Sequence, residues 1–205
     1  MADEILTKGE RTSRAIIDAA YELMVEQGYA ATSMRQIADK AGLALGGIYN
    51  HFSSKEKVFV AIIEERHPFF QIVPLLNSTK GETIEVFARN AAHTLIAELG
   101  HYPEFLNLLL IEIVEFKGSH APFLFEKMFP MLQQLAQRLA SLEGNLREIP
   151  ELVLLRAFMG MFFSYFITEI LLTRIPTVKM PPDALDHFVD IFLHGILTCQ
   201  AGNHV

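Results

Sequence analysis

Apolar positions recur every three to four residues along nearly the whole chain, and no strand-length stretch alternates apolar with polar. In the first segment Ile16, Ala19, Ala20 and Leu23 repeat at helical spacing. Thr7 with Glu10 is a capping box that opens this helix, and Gly28 is its stop. Ser33 with Gln36 opens a short helix near Met34, which Gly42 ends in a left-handed conformation. Leu45 to Phe52 forms a second short segment, and Ser53 with Glu56 opens a helix broken by Pro68. Ile37, Ala38, Ala41, Ile48 and Phe52 supply a small apolar core between the two short helices.

Beyond Pro68 the helices become longer and more apolar. Thr79 with Glu82 caps a helix ending at Gly100, and Pro103 takes the first position of one ending at Gly118. A helix from about Ala121 to Glu143 is expected to kink at Pro130. Pro150 opens the next, ended by Pro176, and Pro182 opens the last, which reaches about Gln200. The pattern predicts an all-α protein of about nine helices, without internal repeats or low-complexity tracts.

The stretch from Thr32 to Lys57, TSMRQIADKAGLALGGIYNHFSSKEK, organises the rest. Two short helices around a tight turn lay one exposed helix into a major groove. The string AxxAGLALGGIYNHFxSKE resembles the TetR family of transcriptional regulators. The match runs from about Arg11 to Val60 and includes Gly28, Tyr29, Thr32, Gly46, Tyr49, His51, Phe52, Lys55 and Glu56. The resemblance implies an N-terminal three-helix DNA-binding domain, 1–53, and a helical effector-binding and dimerisation domain, 54–205. It also implies a homodimer through the last two helices, a palindromic DNA operator, and a lever helix of about 54 to 66 that moves when effector binds.

By position in the match, Thr32, Ser33, Tyr49, His51 and Lys55 are expected to hold backbone phosphates, with Arg35, Leu45, Gly46 and Gly47 at or near base edges. Arg11 and Arg14 are further phosphate candidates. Where the family has a polar cap and a lysine, this chain has Ala44 and Leu45, followed by two glycines that cost roughly 1 kcal/mol each inside a helix. The expectation is close backbone approach to DNA, apolar contact of Leu45 with a thymine methyl, and affinity mainly from phosphates. The alternative is a helical interaction module that has lost specific DNA binding.

Charge modifies this picture. The net charge of −7 falls mostly on residues 58–205, and residues 1–57 carry seven basic and eight acidic side chains. A reading domain that is not basic implies few phosphate contacts per subunit and hence binding as a dimer. The opening MADEILTKGER is mixed and charged, so no cleavable leader is expected. A single cysteine, Cys199, fits a reducing cytoplasm. No Gly-x-Ser-x-Gly elbow, phosphate-binding glycine loop or telling Cys-His pair suggests an enzyme.

Sixteen Phe and eight Met suit the wall of an apolar pocket. Phe158, Met161, Phe162, Tyr165, Glu169 and Leu172 share one helical face, and Phe105, Leu109 and Phe116 accompany Glu112, a carboxylate on the flank of an apolar helix. The resemblance and this content together imply a small apolar or aromatic effector. Leu152 to Leu172 is long enough to cross a bilayer, but Arg156 and Glu169 on opposite sides read as a helix buried all round by protein. His187, Asp190 and His194 share a face with Asp183 and Asp186 opposite Leu185, Phe188, Val189, Phe192 and Ile196, which reads as a solvated stripe. No metal or cofactor is expected.

Overall fold

A computed structural model describes residues 7–102 and 104–197. Among them ten helices follow one another without a strand: α1 Lys8–Gln27, α2 Met34–Lys40, α3 Leu45–Tyr49, α4 Lys55–Arg66, α5 Phe69–Ser78, α6 Ile84–Gly100, α7 Phe105–Val114, α8 Ala121–Ser141, α9 Glu151–Leu172 and α10 Ala184–Ile196. The one the apolar pattern missed is α5. Pro68 reads as a breaker after α4, yet it also serves as the N-cap of α5, its carbonyl accepting from Gln71 and Ile72. Burial of Ile72, Val73 and Leu76 holds this helix together although Pro74 lies inside it.

Both bonds of the Thr7/Glu10 and Ser33/Gln36 capping boxes are present, and Gly42 takes φ 70°. Two caps differ from expectation. Ser54, not Ser53, accepts the Lys57 amide at the start of α4, and Thr83, not Thr79, accepts the Val86 amide at the start of α6. Thr79 instead closes α5, its hydroxyl donating to the Leu75 carbonyl. Ser54 and Thr83 each stand extended immediately before the first helical residue, where a hydroxyl reaches the amide three residues on. The last helix stops at Ile196, short of Gln200, because Leu197 leaves it to bridge Leu146. Pro103, Cys199 and Gln200 lie outside the described residues.

Compactness groups the chain into Met1–His67 with Glu104–Glu126, and Pro68–Pro103 with Lys127–Val205. In the first unit α4 and α7 join α1 to α3 around one core. Ile16, Ala20, Ile37, Ala38, Ile48, Val58, Phe59 and Ile62 are fully buried there, and Leu108 and Ile111 of α7 belong to the same cluster.

In the second unit α6, α9 and α10 pack on one another. Phe158, Phe162 and Phe192 meet with ring centroids 4.7 to 5.9 Å apart. The carboxylates of α10 are more than a solvated stripe: Arg89 of α6 donates to Asp186 at 2.7 Å and to Asp190 at 2.6 Å, and His93 lies 3.0 Å from Asp186. Among the described residues no group of side chains could hold a metal ion.

Helix α9 is long and apolar enough to cross a membrane by length and composition. It is not buried all round within one chain. Leu154, Leu155, Phe158, Phe162 and Phe166 are buried, whereas Leu152, Val153 and Leu171 are exposed.

Candidate nucleic-acid interface and buried carboxylate

The turn between α2 and α3 is built from its underside. Ile37, Ala38 and Ile48 anchor both helices in the core, and the Leu43 amide donates back to the Ala38 carbonyl at 2.9 Å. The opposite side is open: Ser33, Arg35, Gly46, Tyr49 and His51 are exposed. Ser13 of α1 holds the His51 imidazole through Nδ1 at 3.0 Å, which leaves Nε2 as the nitrogen available to an outside acceptor. Leu45 is half-buried and packs against the core cluster, so only part of it faces outward.

Gly46 and Gly47 are not required by the fold. A Cβ on Gly46 would meet nothing within 4 Å, and one on Gly47 would sit at ordinary contact distance from Leu43. Neither has positive φ. The helix thus carries two residues of poor helical propensity at positions where alanine would fit.

Two of the expected phosphate ligands are engaged internally. Thr32 is buried and its hydroxyl donates to the Gly28 carbonyl at 2.8 Å. Lys55 Nζ donates to the carbonyls of Tyr29 and Thr32, both at 2.6 Å, and lies 4.0 Å from the centre of the Tyr29 ring. The lysine therefore clips the α1–α2 turn to the start of α4. Burial holds its pKa below the ordinary lysine value, offset in part by Glu115. The start of a lysine-initiated helix looks the same in sequence whether its side chain points out or folds back.

The residues expected at an effector site separate. Phe105, Leu109 and Glu112 border a cavity of about 30 Å³ in the first unit, with Ile63, His67 and Leu124. Phe116 instead joins an aromatic cluster, 4.8 Å from Tyr29, 4.9 Å from Phe59 and 4.7 Å from His120 between ring centres. Phe158, Met161, Phe162, Tyr165 and Glu169 belong to the second unit and do not line this cavity. There Phe158 and Phe162 are core, and Tyr165 meets Phe188 edge to face at 5.0 Å.

Glu112 is the one charged side chain that is buried among the described residues, at 6% exposure. A buried carboxylate needs compensation, and it comes from one residue. Glu112 Oε1 accepts from the His120 amide and Oε2 from His120 Nδ1, both at 2.8 Å. His120 Nε2 lies 3.3 Å from Oε1 of Glu56 in the first turn of α4, so the ring stands between two carboxylates. The chain reversal after α7 makes this contact. Lys117 and Gly118 take φ of 53° and 77°, and the Gly118 amide closes onto the Glu112 carbonyl at 3.0 Å.

A second strap holds the other end of α7, where Tyr21 of α1 donates to Glu104 at 3.3 Å and stacks under Arg66, which pairs with Asp18. At the cavity itself burial pushes the His67 pKa down to about 4, so this ring is neutral near pH 7. Neither His120 nor His67 stands out in the sequence. Helical periodicity relates residues on one helix, and the Glu112–His120 contact crosses a reversal.

Residues 16–62 match the family described as bacterial regulatory proteins, tetR family. TtgW of Pseudomonas putida, named an uncharacterized HTH-type transcriptional regulator, is 35% identical over 97 residues, 46% of this chain and 72% of TtgW. YvkB of Bacillus subtilis, with the same description, is 25% identical over 193 residues, 90% of this chain and 97% of YvkB. A Mesorhizobium loti structure described as a TetR-family regulator superimposes with a TM-score of 0.69 at 25% identity, covering 94% of this chain and all of that one.

Proposed function

The chain belongs to the TetR family of bacterial transcriptional regulators, and from that premise we propose that it is a cytoplasmic repressor released from a palindromic operator by a small apolar or aromatic effector. The observation that carries the DNA half of this reading is the pair Gly46-Gly47. An exposed helix that loses stability to two glycines, with open space where side chains would fit, is suited to a partner that comes close to its backbone. Ser33, Arg35, Tyr49 and His51 surround it as phosphate and base-edge contacts. Lys55 and Thr32 support the surface from below.

A first unit without excess basic charge gains affinity by presenting two copies of α3 to successive major grooves. The exposed Leu152, Val153 and Leu171 of α9 and Ile191 of α10 supply apolar surface for a homodimer through the last two helices. Effector and DNA then prefer different spacings of the two reading helices, with α4 as the lever.

Selection of bound sequences from a random duplex pool at stated moderate salt tests this reading. Enrichment of two inverted half-sites about one helical turn apart is the expected result. No enrichment from a folded, dimeric protein would overturn it in favour of an interaction module.

A further inference from the structure

Glu112 has two neighbours of different kind. One is His120, which satisfies both of its oxygens and passes on to Glu56 of α4. The other is the small cavity, whose remaining walls are apolar apart from His67. A carboxylate in such a wall attracts a positive donor and repels an anion, and the low polarity of the surroundings strengthens both effects. His67 is neutral at pH 7 and brings no positive charge to offset that repulsion. The space of about 30 Å³ fits a head group the size of an ammonium.

The other end of the route is equally defined. Glu56 adjoins Lys55, whose ammonium group ties the carbonyls of Tyr29 and Thr32 at the entry to α2. A change at the cavity thus reaches the reading surface through two side-chain contacts, Glu112 to His120 and His120 to Glu56, and then through the adjoining Lys55 and its bonds to two carbonyls. The geometry points to an effector with an organic ammonium group that takes Glu112 from His120 Nδ1, and thereby withdraws His120 from Glu56 at the start of α4. This inference rests on the effector-responsive reading above, and adds the charge class of the effector and the path by which it is sensed.

The test uses the full chain and three probes of matched skeleton: 2-phenylethylammonium, 2-phenylethanol and 3-phenylpropanoate. The His120 imidazole resonances, assigned with His120→Gln, report occupancy without DNA, and operator affinity at fixed salt reports output. The ammonium compound alone is expected to shift His120 and to weaken operator binding at least tenfold. Glu112→Gln, similar in shape, loses both responses. Glu56→Gln alters an exposed carboxylate outside the cavity, so it keeps the His120 shift and loses the operator response; it also decides the matter if Glu112→Gln fails to fold.

A His120 shift caused by the propanoate overturns the inference. So does an ammonium response that survives Glu112→Gln, an operator response that survives Glu56→Gln, or no response to the ammonium compound at all. Each of these leaves the regulator reading standing if an operator has been selected. Failure to select any operator sinks that reading instead, and the His120 shift still decides whether the cavity takes the cation.

Discussion

The reading turn of α2 and α3 and the reversal after α7 are both short, irregular and close to α4, yet they are opposite in how far their polar groups are used. On the reading side, Arg35 and Tyr49 project outward and two glycines leave space unfilled. After α7, the buried carboxylate has a donor on each oxygen and the donor ring has a second carboxylate beyond it. A surface for an outside partner leaves capacity unspent in the free protein. A connection between parts of one protein is satisfied within it, because an unpaired buried charge costs too much. The two regions meet in the first turn of α4, where Lys55 faces one and Glu56 the other.

The comparison breaks most readily at Lys55. Lys55→Met removes two charge-assisted bonds to carbonyls and is expected to lower stability by about 2–3 kcal/mol, while the salt dependence of operator binding keeps its slope. Unchanged denaturant unfolding with a smaller salt slope would make the lysine a phosphate ligand and remove the distinction.

A comparable effect is expected from pH. His67 has a folded pKa near 4 against 6.5 when unfolded, so the unfolded chain binds the extra proton. Its contribution, roughly 3 kcal/mol at full extent, is present above pH 6.5 and is lost as pH falls toward 4. Unfolding across that window would show the slope, and His67→Phe would flatten it.

On the reading surface, Gly46→Ala and Gly47→Ala are each expected to stabilise the fold by about 0.5–1 kcal/mol and to weaken operator binding about tenfold. Opposite signs in the two assays sharpen the contrast, and equal signs would make the glycines simply a weak helix. The smallest effect is reserved for Arg89→Gln, since its partners Asp186 and Asp190 are substantially exposed. A loss of about 1 kcal/mol or less, fading at high salt, is expected from thermal unfolding.

The sequence by itself determined the helical class, the two N-terminal capping boxes, the left-handed stop at Gly42 and the apolar underside of the reading turn. These depend on contacts within a few residues, where spacing and side-chain type suffice. It was less informative where two local solutions competed, as with Ser53 and Ser54, Thr79 and Thr83, or Pro68 as breaker and as helix start. Only the tertiary structure decided that Lys55 folds inward, that Phe116 joins an aromatic cluster, and that Glu112 is held by His120 rather than by a neighbour on its own helix. The reason is physical: the direction of a long side chain and the partner of a buried charge are set by which surfaces the fold brings together, and periodicity along one helix carries no record of the other.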